Sequence, residues 1–314
     1  MSTAFLFPGQ GAQSPGFLHR LAAIHPAVMA DFDRASEVLG TDILAMDSAH
    51  ALKSTIAVQL TTVTAAAAMA RMCEAEGIEP QAVAGLSVGA FAAAVAAGAL
   101  AFDDMLPLVR IRAGLMEQAY PSGYGLAAVM GLTQRHVASL IAQIHSDRSP
   151  VYLANLNAPT QFVIAGTVEA LERVLDLASG AGARKAERMA VSVPSHCPLL
   201  TSVGEALAEA LAHVSMSTPK IPYISNRGGR LLRDAEAVRV DLARNVMDPV
   251  LWHDATSVLY ETGTRLFIEM PPGHALTNLA SSAFDDVRAL ALEDSRFDTV
   301  KVLAEREMHS DNMG

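Results

Sequence analysis

Two cysteines, Cys73 and Cys197, are all that 314 residues offer for disulfide chemistry. They stand far apart and no zinc-type spacing accompanies them, which excludes a disulfide scaffold and a cysteine-based metal module. Each is read instead as a free thiol acting as a small buried hydrophobe. Ten histidines are present, but none forms a His-Glu-x-x-His pair, so no metal site is expected. Charge is sparse: 18% of the chain, with 23 Lys and Arg against 33 Asp and Glu, for a net −10. A nucleic-acid binder needs a basic stripe, and none is visible. An anionic small substrate stays open, because a few local arginines override the global field. Internal repeats, low-complexity tracts and long blocks of like charge are missing too.

Membrane and export signals are also wanting. Residues 1–7 carry no basic n-region, and Pro8-Gly9 cuts the apolar run short, so no secretory signal is expected. Residues 80–102 are free of charge and long enough to span a bilayer. Alanine is only weakly apolar, however, and Glu79, Asp103 and Asp104 flank the run. A buried strand-turn-helix is the expectation, in a soluble, cytoplasmic chain.

What the sequence does have is core. Hydrophobic residues make up 51%. At this length, folding removes roughly three quarters of the unfolded chain's surface from water. One large domain with a smaller insert fits the size. Strands are expected at 4–7, 81–85, 221–225, 265–270 and 287–292, and helices at 17–39, 56–76, 88–98, 103–119, 197–213, 236–246, 252–262 and 274–283. Between them, 124–194 reads as strand, helix, strand, strand, helix, strand, with Thr133 and Thr167 as helix caps and a last strand at 186–193. That is the order of a ferredoxin-like unit. The expected architecture is an α/β-hydrolase-like large domain with a parallel-sheet core, residues 1–123 and 195–314, and an inserted ferredoxin-like small domain, residues 124–194. Residues 309–314 read as a frayed tail.

Chemistry is concentrated in a few places. Gly85-Leu86-Ser87-Val88-Gly89 follows an apolar strand and precedes a helix, the context of a nucleophile elbow. The sharp turn projects the hydroxyl at a helix N-terminus, where N–H groups and the helix dipole favour negative charge. A packing turn is the bland alternative. A serine nucleophile needs a base. His196, in the proline-stiffened segment Val193 to Pro198, comes first, and His274 second. The other eight histidines read as solvated or structural. Phe7 to Gln13 holds a double-glycine turn after a strand, suited to close backbone approach by a ligand, though it lacks P-loop and dinucleotide spacings. Arg110 and Arg112 sit two apart on one helix and face different sides. An inward arginine needs an anion, supplied either by a structural ion pair or by a substrate carboxylate.

Taken together, these segments resemble the malonyl-CoA:acyl carrier protein transacylase family. The matching segments are Phe7 to Gln13, Gly85 to Gly89, Arg112 with Met116, Asn157 to Gln161, Pro194 to Cys197, and Asp248 to Trp252, in family order along nearly the whole chain. The resemblance implies that Ser87 attacks a malonyl thioester and that His196 carries its proton. It implies an oxyanion hole from the backbone N–H groups of Gln10 and Val88, and pairing of Arg112 with the malonyl carboxylate. A backbone carbonyl orients the histidine, at a position that maps to Asn245. Gln59, Leu86, Asn157 and His274 are implied to line the cleft. Malonyl-CoA is then the substrate, an acyl carrier protein the partner, and no bound cofactor is needed. Leu86 departs from the histidine usual in fatty-acid-synthesis members. That residue and Met270 to His274 are similar to malonate decarboxylase epsilon subunits, which implies other subunits of that complex as partners. Transfer in fatty acid or polyketide synthesis is the alternative. A serine hydrolase and a non-catalytic docking module, using Arg184, Lys185 and Arg188 or Arg227, Arg230 and Arg233, are the remaining rivals.

Overall fold

The computed structural model describes residues 2–311. From β1 (Ser2–Phe7) the chain passes through α1 (Phe17–Ala22), α2 (Pro26–Leu39) and α3 (Thr55–Ala75). It then forms β2 (Ala82–Gly85), α4 (Gly89–Ala96) and α5 (Phe102–Ala119). The expected helix at 17–39 is broken in two. Pro26 has no N–H to donate and starts a new helix, with the His25 ring accepting the Ala27 N–H as its cap. The charge-free run at 80–102 is the buried strand, turn and helix that its composition suggests. α3 is long and apolar enough to cross a membrane, yet 89% of its most apolar window is buried within the fold.

The middle of the chain holds β3 (Tyr124–Met130), α6 (Gln134–Ile144), β4 (Val151–Ala158), β5 (Gln161–Thr167), α7 (Val168–Gly180) and β6 (Lys185–Arg188). Thr133 and Thr167 cap α6 and α7 as expected, each accepting a backbone N–H three residues on. The last strand is shorter than its apolar alternation suggests. After Arg188 the chain leaves the sheet, and Met189 and Val191 turn to line a cleft.

The final stretch runs through α8 (Thr201–Ala212), β7 (Tyr223–Ile224), β8 (Leu231–Leu232), α9 (Ala235–Arg244), α10 (Trp252–Glu261), β9 (Thr264–Glu269), α11 (Ala275–Ala283), β10 (Arg288–Ala291) and α12 (Phe297–Asp311). Neither β8 nor α12 is anticipated by the sequence pattern. β8 is only two residues long, and α12 rests on a thin apolar stripe in which Val300 and Ala304 are buried. Residues 309–311, expected to fray, continue that helix; 312–314 lie outside the described residues.

The strands form two sheets. One has the order β10-β9-β1-β2-β7-β8 and is parallel apart from the β7–β8 hairpin at its edge. Strands covered on both faces read as continuous apolar runs. β2 obeys this, with Ala82 to Gly85 all buried. The second sheet, β4-β5-β3-β6, is antiparallel and packs α6 and α7 on one side around its own core. The fold is thus mixed α/β with a parallel sheet at its centre. Val250 joins the two parts, donating to the Ala154 carbonyl and accepting from Leu156 N–H at 2.8 Å each.

Candidate active site

Register places the site. β1 and β2 are parallel neighbours with Phe7 opposite Gly85, so both strands end at one edge of the sheet and both following turns open there. One turn carries Gln10, the other Ser87. Glycine lets them close up. A Cβ on Gly85 would lie 2.3 Å from the Gly89 backbone, and one on Gly89 would lie 2.3 Å from the Phe7 carbonyl oxygen. Ser87 itself adopts φ 55°. Such a left-handed conformation costs a non-glycine residue about 1–3 kcal/mol and is held only by its surroundings. The Leu86 N–H donates to the Phe7 carbonyl, Gly89 to Leu86 and Ala90 to Ser87. The Val88 N–H is not among the bonds that close this turn.

His196 reaches the serine from the far side. Its Nε2 lies 2.7 Å from Ser87 Oγ, and its Nδ1 lies 2.6 Å from the backbone carbonyl of Asn245. A carbonyl only accepts, so Nδ1 carries the proton of the neutral ring. The Nε2 lone pair therefore points at the serine hydroxyl. His196 is also in the left-handed region, φ 60°, and its N–H is tied to the Val246 carbonyl at 2.8 Å. Burial first, and then the charge of Arg112, push the imidazole down to about 3. The ring is therefore neutral throughout the neutral range, with its Nε2 lone pair free to accept the serine proton.

Arg112 is fully buried on the inner face of α5. Its Nη1 donates to Gln59 Oε1 at 2.6 Å, and its Nη2 to Ser87 Oγ at 3.2 Å and to Asn245 Oδ1 at 3.5 Å. Nε has no partner, and among the described residues no carboxylate pairs with the guanidinium. Burial lowers its pKa to about 9, which still leaves it charged at neutral pH. A buried cation with neutral partners only is poorly compensated and calls for an anion. Arg110, two residues earlier, faces away and donates to the Leu39 carbonyl at 2.7 Å. Gln59, buried on α3, links the clamp to the first turn through Gln10 Oε1, at 3.2 Å.

Between the two sheets, Leu86, Ser87, Met116, Asn155, Asn157 and His196 line one cleft, with Gln10 at its rim. The geometry brings together Ser87, His196, Gln10, Val88, Arg112, Asn245, Gln59, Leu86 and Asn157. It does not bring His274 there. That residue precedes α11, is exposed, and pairs with Asp294 at 3.0 Å. Proline and glycine before it make the segment conspicuous in sequence, but they serve a turn. In the two basic clusters, Lys185 pairs with Glu187, Arg188 with Glu172 and Arg227 with Asp248. Cys73 and Cys197 are buried and free, and burial raises both thiols to about 12.

Sequence reasoning overlooks Asn226, whose side chain accepts the Ser87 N–H at 2.9 Å, and the buried Asp241 behind it. The available signal is Ser225-Asn226, a polar pair ending a buried strand. Asn155, at the bulge in β4, is likewise missed.

Comparison with known proteins agrees with this architecture. Residues 4–300 match the acyl transferase domain family. The malonyl CoA-acyl carrier protein transacylase of Salmonella typhimurium is 36% identical over 296 residues, covering 93% of this chain and 96% of that protein. The Bacillus subtilis protein of the same name is 33% identical, covering 93% of each chain. Among solved structures, the Coxiella burnetii transacylase superposes with a TM-score of 0.92 at 34% identity, covering 98% of both chains. A malonyl-transacylase in complex with the holo form of its type II PKS acyl-carrier protein gives 0.91 at 33% identity, covering 98% of this chain and 100% of that one. With a family match across nearly all its length and relatives above 30% identity, this chain belongs to the acyl transferase domain family of malonyl CoA-acyl carrier protein transacylases.

Proposed function

We propose that this chain transfers a malonyl group from malonyl-CoA to the thiol of an acyl carrier protein, through a malonyl ester on Ser87. The observation that carries the reading is Arg112: a buried guanidinium without a carboxylate, 3.2 Å from the Ser87 hydroxyl. A malonyl group esterified to Ser87 Oγ would bring its free carboxylate towards this guanidinium. The names of the relatives support the same substrate pair.

In the first half-reaction Ser87 Oγ attacks the thioester carbon while its proton passes to His196 Nε2. The oxyanion is received by the backbone N–H groups of Gln10 and Val88. Collapse breaks the C–S bond, and His196 returns the proton to the departing CoA sulfur. In the second half the carrier thiol gives its proton to His196 and attacks the acyl carbon, and Ser87 leaves reprotonated. His196 protonates the CoA sulfur in the first half and the Ser87 oxygen in the second, so one base serves both halves and no bound cofactor is required.

Fatty acid or polyketide synthesis is the context the relatives favour. The malonate decarboxylase reading rests on Leu86 and on the segment ending in His274. Leu86 borders the cleft, but His274 makes no contact with it, so half of that argument has no chemical footing. A serine hydrolase is disfavoured because His196 leans on a carbonyl and Arg112 would have no task. We read the antiparallel sheet with its two helices as a ferredoxin-like small domain, residues 124–194, set into an α/β-hydrolase-like large one, residues 1–123 and 195–314; the strand order β6-β3-β5-β4 supports this. The chain is proposed to work in the cytoplasm, with neither nucleic acid nor membrane as a partner.

The test is intact mass after brief mixing with malonyl-CoA, beside acetyl-CoA and the Ser87→Ala variant. A malonyl adduct on the wild type alone, weak with acetyl, supports the reading. Steady CoA release without adduct or acceptor would indicate a hydrolase.

A further inference from the structure

A left-handed serine persists only where neighbours over-determine its backbone. Behind the elbow, away from the cleft, one side chain does so. Asn226 Oδ1 accepts the Ser87 N–H at 2.9 Å, and Asn226 Nδ2 donates to the Gly85 carbonyl at 2.5 Å. The two bonds bracket Leu86 and grip the turn on both sides of its bend. Asn226 lies just past β7, which pairs in parallel with β2, so the sheet itself delivers it to the elbow. It is 2% exposed.

Asn226 is in turn held from below. Its own N–H donates to Asp241 Oδ2 at 3.4 Å, and its carbonyl accepts the Leu251 N–H at 2.7 Å. Asp241, on α9 and also buried, accepts from the Tyr223 hydroxyl at 3.0 Å and the Ser225 hydroxyl at 2.5 Å. Burial raises the Asp241 pKa and these three donors work against that rise, so the carboxyl group is held from several sides as a rigid anchor.

We propose that Asn226, anchored by Asp241, is the positioning residue of the elbow: it fixes the Ser87 backbone so that Oγ meets His196 and the Val88 N–H faces the reacting carbonyl. The inference rests on Ser87 being the acylated nucleophile. Asn226 touches neither the acyl carboxylate nor the thiol, so it acts alike on every acyl donor. Misplacing the nucleophile and an oxyanion donor together slows acylation by about 10–100-fold. Ground-state binding is untouched, so KM for malonyl-CoA stays within about twofold.

The experiment is rapid-quench intact mass of acyl-Ser87 formation from malonyl-CoA and from acetyl-CoA. It compares wild type, Asn226→Ala, Asn226→Asp and Asp241→Asn, with Ser87→Ala as the blank. Asn226→Ala is expected to slow both donors by the same factor while reaching full final stoichiometry. Asn226→Asp, which keeps the acceptor for Ser87 N–H but loses the donor to Gly85, falls between it and wild type. Asp241→Asn loses in the same direction, by less. The proposal is overturned if Asn226→Ala acylates at the wild-type rate, if the loss is confined to malonyl, or if a smaller active fraction reacts at an unchanged rate. Should Asn226→Ala not accumulate as folded protein, the two variants that preserve side-chain volume carry the same comparison. No adduct on wild type would sink the acyl-serine reading, and this inference with it.

Discussion

The Nδ1 of His196 ends on the backbone carbonyl of Asn245, 2.6 Å away, where an aspartate would complete a charged triad. The orienting contact is therefore independent of the side chain at 245. Asn245→Ala should lose only the weak contact to Arg112 and keep kcat for malonyl transfer within about tenfold. Removal of a charged triad member costs on the order of 10,000-fold. Steady-state transfer kinetics distinguish the two, and a loss of the larger size would mean that the side chain orients the ring.

Arg112→Ala should abolish most malonyl transfer and improve acetyl transfer relative to it. A site built around a buried charged donor rejects a partner that cannot pair with it, so the malonyl-to-acetyl ratio should fall by roughly 100-fold or more. Arg112→Lys should restore little, because a point charge does not reproduce the guanidinium fork. Competition between the two CoA esters, read by mass, measures the ratio. An unchanged ratio would remove Arg112 from substrate recognition.

The depressed His196 has a signed consequence for pH. With the ring held down to about 3, the free enzyme's base stays neutral as pH falls through the usual histidine range, so kcat/KM for malonyl-CoA should show no histidine limb between about pH 5 and 8. Removing the Arg112 charge relieves part of the depression, and in Arg112→Ala the acid limb moves to higher pH. The same shift bears on stability. Unfolded His196 binds a proton that the folded form refuses, so its contribution is complete above the unfolded pKa and declines as pH drops from there towards about 3. Acid unfolding of His196→Gln, followed by circular dichroism, should start at lower pH than wild type.

Gly85→Ala should be more damaging than an added methyl group suggests. The new Cβ would meet backbone atoms of Gly89 and Ala90 at 2.3–2.4 Å, and backbone has no rotamer to move aside. Overpacking costs about 1–3 kcal/mol, and the elbow absorbs it by shifting Ser87. Thermal melts should fall and acylation should drop further than stability alone explains. Full acylation by a normally stable Gly85→Ala protein would mean that the turn has room for a Cβ at this position.

Much of this site is legible in the sequence because its parts are local. The elbow is five consecutive residues with a strand before and a helix after. Arg112 announces itself by sitting in an apolar helix with a second arginine two places away. The caps at Thr133 and Thr167 follow from side-chain chemistry within three residues. What the sequence conceals is pairing across distance. Nothing local says that Asn226 reaches Ser87, or that His274, framed by proline and glycine, lies outside the cleft on Asp294. Likewise β6 ends early because the lining of a cleft competes with the ladder, and α12 packs through a narrow stripe, Phe297, Val300, Leu303 and Ala304 among its described side chains, that stands out little from its polar surroundings.

The position of β1 in the sheet also bears on the order in which the site's edge is completed. β1 lies between β2 and β9, and its Ser2 pairs with Thr264. During synthesis the strand that carries the Gln10 turn must therefore wait for almost the entire chain before its second neighbour exists. Long-range parallel pairing of this kind forms late. A nascent chain stopped short of β9 would carry Ser87, His196 and Arg112 with β1 flanked by β2 alone, so the sheet around the Gln10 turn is completed only when residues 264–269 join it.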